Sequence, residues 1–110
     1  MKNIDPDQLR LKDILQAIDD IEGIHFTVNS VRRDLLAICY SLAVIGEATG
    51  KLSDAIKVKY NDVPCRDFIT MRHKIVHDYG KIDIPIVLAV VSDDIPVLKE
   101  HIEIMLRENS

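Results

Sequence analysis

The side chains with the greatest capacity for chemistry are crowded into one ten-residue segment, residues 71–80. This segment contains Arg72, His73, Lys74, His77 and Tyr79. An arginine can bind a phosphate through two parallel hydrogen bonds, and a histidine can accept or release a proton near neutral pH. An RNA strand already carries its nucleophile, the 2′-hydroxyl, so a phosphate-binding cation and a proton-transferring group supply much of what its cleavage requires. The segment is therefore a candidate site for RNA cleavage.

The spacing within this segment leaves three interpretations open. His73 and His77 are four residues apart and would share one helical face, which is typical of a metal-binding pair. No Glu follows the first histidine, as the H-E-x-x-H zinc motif requires, and we predict no metal site and no cofactor. Arg72 and His77 diverge by about 140° on an ideal helix, so they meet only if the helix ends or bends near His77, if the arginine reaches around, or if a second chain takes part. The third interpretation is a solvated helix end, in which Arg72 and Lys74 interact favourably with the helix dipole.

The remaining residues of these types give no comparable pattern. His25 and His101 lie in helical patterns without clustered partners, and we interpret them as structural or surface residues. Cys39 and Cys65 are far apart and show no C-x-x-C spacing, which predicts free thiols rather than a zinc ribbon or a redox motif.

Charge also distinguishes the middle of the chain. The formal net charge is −4, yet residues 51–81 carry seven basic and four acidic side chains, while both flanking regions are acidic. Only this segment could face an anion such as RNA. The excess is small beside the footprint of dedicated nucleic-acid-binding proteins, so an ordinary solvated face is the alternative, and we expect no DNA partner.

Length and composition predict one small domain over residues 1–110. A chain of 110 residues, 47% of them hydrophobic, can bury a single core. The apolar run Ile82–Val91 is interrupted by Asp83 and Pro85 and is too short to span a membrane. The acidic N-terminus lacks the apolar block of a secretory signal. We therefore expect a cytoplasmic protein without a membrane partner.

The elements that must position the reactive segment are predicted to be helices. Asp5-Pro6-Asp7-Gln8 predicts an N-cap with a reciprocal bond from Gln8, and apolar residues at three- and four-residue steps continue to a stop at Gly23. A second, nearly apolar helix is expected from Asn29-Ser30 to Gly50, with Gly50 in the left-handed position, and it is apolar enough to be covered by a second copy of the chain.

Four further helices are predicted in the second half. Ser53 caps a short helix to about Tyr60, and residues 61–64 form a turn. The helix of the reactive segment follows, burying the stripe Phe68, Met71 and Ile75 and ending near residues 78–80. Asp83 and Pro85 start a helix to Val91, with a buried strand over Ile82–Val91 as the alternative. Pro96 predicts a break over residues 93–95 before the last helix.

The order and spacing of these residues resemble the HepT-like toxins, a subfamily of the HEPN ribonucleases. The pattern Arg72, His77 and Tyr79 is similar to the R-x-x-x-x-H-x-Y signature of that family. The similarity extends over most of the chain, and it includes Asp13–Ile18, Ile45–Ala48, Pro64, Met71, Asp78, Ile82-Asp83 and Asp94–Leu98.

This resemblance implies an all-α, HEPN-type antiparallel bundle of four to six helices that forms a homodimer. It implies the toxin of a type VII-like prokaryotic toxin–antitoxin pair, a metal-independent endoribonuclease with Arg72 and His77 as catalytic residues in the dimer cleft. His73, Lys74 and Tyr79 would be auxiliary or substrate-binding residues. The partner would be a minimal nucleotidyltransferase antitoxin, which would adenylylate Tyr79 and so add bulk and negative charge where the RNA phosphate binds.

Two positions depart from the family pattern. His73 stands where Asn or Asp often follows the motif arginine, and Cys65-Arg66 replaces the aromatic residue commonly found after Pro64. The His73 departure and the net charge of −4 support an alternative function, in which an inactive HEPN dimer is a binding module for the nucleotidyltransferase.

Overall fold

Six α-helices and one short antiparallel strand pair make up the regular structure of residues 5–77 and 81–109, which the computed structural model describes, without the side chains at positions 72, 73, 76 and 77. The helices are α1 (Pro6–Glu22), α2 (Arg32–Gly50), α3 (Asp54–Lys59), α4 (Cys65–Ile75), α5 (Ile84–Ala89) and α6 (Ile95–Glu108). The strands β1 (Val76–His77) and β2 (Lys81–Ile82) lie between α4 and α5, and a π-helical turn over Val90–Asp94 joins α5 to α6. The predicted all-helical fold is confirmed.

Helix α1 begins and ends at the residues that the sequence indicates. The Asp5 carboxylate accepts a hydrogen bond from the Asp7 N–H at 3.0 Å, and proline occupies the first turn. The described residues contain no reciprocal bond from Gln8. The Asp7 carboxylate instead accepts hydrogen bonds from the backbone N–H of Ser53 at 2.8 Å and from its hydroxyl at 2.5 Å. The start of α1 is thereby fastened to the start of α3, which Ser53 caps as predicted.

Helix α2 lies at the centre of the bundle and packs against α1 on one side and α4 on the other. It begins at Arg32, later than predicted, after an extended Val31 that supplies no side-chain cap. Gly50 is helical rather than left-handed, because the helix continues into Lys51, whose φ is −90°. Gly46 has a different role: a Cβ atom there would lie 2.7 Å from the backbone oxygen of Phe68. The missing side chain at this position allows α4 to approach α2 closely.

One hydrophobic core receives side chains from all six helices. Its fully buried members are largely isoleucine and leucine, and the largest are Leu11, Ile14, Ile18, Ile21, Ile38, Leu42, Ile45, Ile75, Val87, Leu98, Ile102 and Met105. Helix α6 closes the core by packing against α1. None of the described helices combines the length and apolar character that crossing a membrane would require.

The second half confirms the helix predicted at Pro85 and departs from the prediction at Pro96. The apolar run Ile82–Val91 is helical from Ile84 onward, while Ile82 lies in β2. Asp83 caps α5 as predicted, because its carboxylate accepts a hydrogen bond from the Ile86 N–H at 3.2 Å. The break predicted before Pro96 is wrong. The chain instead forms a π-helical turn, in which the Ile95 N–H donates to the Val90 oxygen five residues earlier. This wider turn accommodates a residue that lacks an N–H and crowds the preceding turn, so the backbone continues directly into α6.

Candidate functional site

Helix α4 holds most of the residues that the sequence indicates for chemistry. It begins after Pro64, whose carbonyl oxygen accepts hydrogen bonds from the N–H groups of Asp67 and Phe68. Phe68, Met71 and Ile75 are buried, as the predicted stripe requires. Because this stripe packs against α2, the helix has one fixed orientation on the bundle.

Helix α4 ends at Ile75, earlier than predicted. The Ile75 carbonyl oxygen accepts a hydrogen bond from the Asp83 N–H at 2.7 Å, so the start of the next helix uses it rather than a further turn of α4. The chain continues as β1, which pairs with β2 in the register Val76 with Ile82 and His77 with Lys81. This early end changes the geometry of the motif, because the divergence of about 140° expected on a continuous helix does not apply.

The predicted site residues therefore divide between two elements. Arg72, His73 and Lys74 lie in the last turns of α4, and His77 lies in β1. Tyr79 is outside the described residues, as are the side chains of Arg72, His73 and His77. Lys74 is exposed, and so is Lys81, the residue paired with His77. Two exposed cations thus lie near the end of the helix, Lys74 in its last turn and Lys81 in β2.

The helix end also removes the geometric basis of the alternative metal pair. His73 and His77 were expected to share a helical face, but the helix stops between them. Within the described side chains, no group of three or more His, Cys, Asp or Glu residues could hold a metal ion.

A cavity that sequence reasoning missed lies beside α4. It has a volume of about 280 Å³, and its lining comes from α4, α5, the π-helical turn and α6. The polar side chains around it are Asp67, Lys74, Asp94 and His101. His101, interpreted from the sequence as structural or surface, is half-buried at this cavity. Pro96 is the only hint in the sequence, because it marks the irregular turn that brings Asp94 to the cavity.

The two cysteine thiols are half-buried and carry no disulfide. Burial raises the pKa of Cys39. Burial also raises the pKa of Cys65, against a smaller opposing effect of the Lys57 cation. Raised pKa values keep both thiols protonated near neutral pH, which suits inert core residues rather than nucleophiles.

The structure is a helical bundle in which α4 ends between Arg72 and His77. The family model described as "Ribonuclease HepT-like" matches residues 11–105. A Thermococcus cleftensis protein named "Probable ribonuclease HepT" is 33% identical over 100 residues, which cover 84% of this chain and 89% of that protein. A Methanocaldococcus jannaschii protein named "Putative RNase MJ1216" is 32% identical over 105 residues, which cover 89% and 85% of the two chains. No solved structure matches.

The chain belongs to the HepT-like ribonuclease family. The family predicted from the arginine–histidine–tyrosine pattern is confirmed, and so is the predicted class of enzyme, an endoribonuclease.

Proposed function

We propose that the chain is the toxin of a HEPN/minimal nucleotidyltransferase pair and that it cleaves RNA without a metal ion, using Arg72 and His77. The observation that carries the proposal is the end of α4 at Ile75, between the two residues. A continuous helix would direct them to different sides, whereas a helix end followed by a strand frees His77 from the helical repeat. The family match over residues 11–105 supports the assignment of RNA as the substrate.

The proposed reaction needs one proton acceptor, one proton donor and a cation. A histidine takes the proton of the 2′-hydroxyl, and the 2′-oxygen attacks the adjacent phosphorus. The bond from phosphorus to the 5′-oxygen then breaks, and that oxygen receives a proton from an acid. The products are a 2′,3′-cyclic phosphate and a 5′-hydroxyl. Arg72 stabilises the charge on the phosphorane, and the exposed Lys74 and Lys81 attract the strand.

Two histidines per site would come from a homodimer, because one His77 cannot be base and acid in the same step. Exposed apolar side chains on and before α2 support an interface there. Val28, Val31, Leu36 and Tyr40 are 69%, 56%, 46% and 72% exposed. An exposed apolar patch on a small protein is typical of an interaction surface, and a two-fold axis would bring the same patch of both chains together.

The dimer is tested by light scattering of wild type and Tyr40→Asp. We expect the wild type to be a dimer at micromolar concentration and Tyr40→Asp to be a folded monomer with lower activity. Val58→Asp is the matched control, because Val58 is 74% exposed and lies on α3 rather than on α2. A monomeric wild type that cleaves RNA at full rate would contradict a shared site.

Regulation by a nucleotidyltransferase antitoxin is the second part of the proposal. Adenylylation of Tyr79 would add a phosphate two residues from His77 and would oppose the RNA phosphate by charge and bulk. Intact mass after co-expression with the antitoxin tests this step. We expect one added adenylyl group per modified chain, lost in Tyr79→Phe, and the modified protein should not cleave RNA.

Four variants test the assignment of the catalytic residues. We expect His77→Ala and Arg72→Ala to lose RNA cleavage while keeping the wild-type circular dichroism spectrum. Lys12→Ala and Glu103→Ala are the controls, since both residues are exposed and lie outside the motif and the proposed interface, and both variants should retain activity. Cleavage that survives in folded His77→Ala would refute the assignment.

The alternative function is an inactive dimer that binds the nucleotidyltransferase. The observation in its favour is His73, which departs from the family pattern beside the motif arginine. An unmodified wild type that binds the antitoxin but cleaves none of several RNAs would establish it. His73→Asn would then restore cleavage if this residue is the cause.

A further inference from the structure

We propose that the cavity between α4 and α6 binds a nucleobase of the RNA strand and sets a base preference beside the cleavage site. This inference rests on the proposed ribonuclease function and deepens it. Among the described side chains of the reactive segment, Met71 and Lys74 line this cavity. Its volume of about 280 Å³ is near the lower end of pockets that hold small molecules.

The floor of the cavity is apolar. Phe68, Met71, Val90 and Leu98 line it and are all buried. A base is a flat ring system whose two faces are poorly hydrated, and RNA-binding proteins commonly bury such a ring against apolar or aromatic side chains. The half-buried His101 supplies a further ring against which a base can stack.

The carboxylates at the rim of the cavity suit a nucleobase better than a phosphate. The exposed carboxylates of Asp67 and Asp94 line the cavity, and ionised carboxylates only accept hydrogen bonds. Neither carboxylate is hydrogen-bonded or ion-paired to another described residue, and Asp94 does not cap α6. They repel a phosphate but accept the N–H groups on the edge of a base, as acidic side chains do with the amino group of cytosine.

The π-helical turn contributes to this site. Val90 and Asp94 are its first and last residues, and both line the cavity. A π-helical turn adds a residue to a helix and widens it, and such turns frequently occur at functional sites. The same short turn therefore supplies an apolar residue of the floor, Val90, and a charged residue of the rim, Asp94.

The position of the cavity on α4 determines which nucleotide it can receive. Met71 lines the cavity, and Arg72 is the next residue, about 100° further around the helix. The cavity and the proposed phosphate site therefore lie on the same helix, at neighbouring positions of the chain. A base in the cavity belongs to a nucleotide that flanks the cleaved bond, and Lys74, exposed at the rim, lies beside the strand that leads to it.

Two pairs of variants test the cavity in RNA cleavage. Val97 lines the cavity and is 53% exposed, so Val97→Phe fills the space without disturbing the core. Its control is Leu9→Phe, at an exposed position on α1. Asp94→Asn changes an acceptor at the rim, and Asp93→Asn is the matched control in the same turn, outside the cavity. Circular dichroism verifies that all four are folded.

We expect the wild type to prefer one or two bases at a single position near the cut, measured by sequencing the product ends. Val97→Phe and Asp94→Asn should lower this preference by roughly tenfold, the scale of discrimination that one good base contact gives. The two controls should keep it. Cleavage with the same preference in wild type and Val97→Phe would overturn the inference while leaving the ribonuclease function intact.

A binding measurement keeps the inference testable if the wild type cleaves nothing. The probes are four 2′-O-methyl tetranucleotides, one for each base, which cannot be cleaved because they lack the 2′-hydroxyl nucleophile. Each is titrated into the wild-type protein while the NMR signals of the protein are recorded. We expect the methyl signals of Met71, Val90 and Leu98 to shift with the preferred base, and these shifts to disappear in Val97→Phe. The inference would be overturned if no tetranucleotide shifts these signals. It would also be overturned if Val97→Phe changes only the oligomeric state of the protein and leaves the shifts intact.

Discussion

Replacing Gly46 by alanine tests whether the close crossing of α2 and α4 holds the motif helix in place. The new Cβ would lie 2.7 Å from the Phe68 carbonyl oxygen, whereas ordinary contacts begin at 3.4 Å. Helix α4 must therefore move by about 0.7 Å, or α2 must bend. The obstacle is backbone, which cannot rotate away as the end of a side chain could.

The magnitude follows from two opposing effects. Forcing an extra methyl group into a well-packed contact costs about 1–3 kcal/mol, while alanine in place of glycine within a helix gains up to about 1 kcal/mol. We expect a net loss of about 1–2 kcal/mol in the free energy of unfolding. For a domain of this size the loss corresponds to a melting temperature lower by roughly 5–15 °C.

Gly50→Ala is the matched control on the same helix. A Cβ at this position meets only the Ile69 side chain, at 3.7 Å, which is an ordinary contact. Gly50→Ala should therefore leave the melting temperature unchanged or raise it by a few degrees. The assay is thermal unfolding followed by circular dichroism, with RNA cleavage measured on the same samples. A Gly46→Ala protein at least as stable and active as Gly50→Ala would refute the reasoning.

Three further predictions concern the periphery of the bundle. The Tyr60 hydroxyl donates a hydrogen bond to the Glu108 carboxylate at 2.6 Å and so joins the ends of α3 and α6. Tyr60→Phe should therefore lower the free energy of unfolding by about 0.5–1.5 kcal/mol. An unchanged midpoint in urea unfolding would contradict this. Glu22 raises the pKa of Lys99 through a hydrogen bond of 2.7 Å, so the pair stabilises the fold at neutral pH and loses that contribution only as the pH rises through the raised value. Lys99→Ala should have a lower melting temperature than the wild type at neutral pH, and the two melting temperatures should agree at strongly alkaline pH. Burial raises the pKa of Cys65, so iodoacetamide should alkylate it at neutral pH more slowly than a free cysteine, and an equal rate would refute this.

Local chemistry explains which parts of the fold were predictable. The caps at Asp5, Ser53 and Asp83 act within three residues, so the sequence alone indicates where their helices begin. The stripe at Phe68, Met71 and Ile75 was predictable because burial on a helix follows its period.

The features that depend on distant residues were not predictable. At the end of α4 the Ile75 carbonyl oxygen accepts a hydrogen bond from the N–H of Asp83, which is eight residues away, and no local signal reveals that bond. Gly46 reads as an unremarkable helix residue until α4 lies against it. Pro96 correctly indicates an irregular backbone before the last helix. The sequence does not show whether this irregularity is a break or a π-helical turn, because the periodicity of side chains is similar in both.

The same division applies to the candidate site. The motif residues are close in sequence, so their types and spacing indicate the chemistry, and together with the similarity along most of the chain they indicate the family. The cavity is built from α4, the π-helical turn and α6, and its rim residues Asp67, Asp94 and His101 share no local pattern. Such a site becomes visible only when the packing of the helices is known.

The most direct test of the central claim is the chemistry of the RNA ends that the purified, unmodified protein leaves in the presence of EDTA. The proposed attack by the 2′-hydroxyl predicts 5′-hydroxyl and 2′,3′-cyclic phosphate ends, formed by the wild type as fast with EDTA as without it. Folded His77→Ala should form no such ends. Cleavage that stops in EDTA, or ends that carry a 5′-phosphate, would contradict the mechanism assigned to Arg72 and His77.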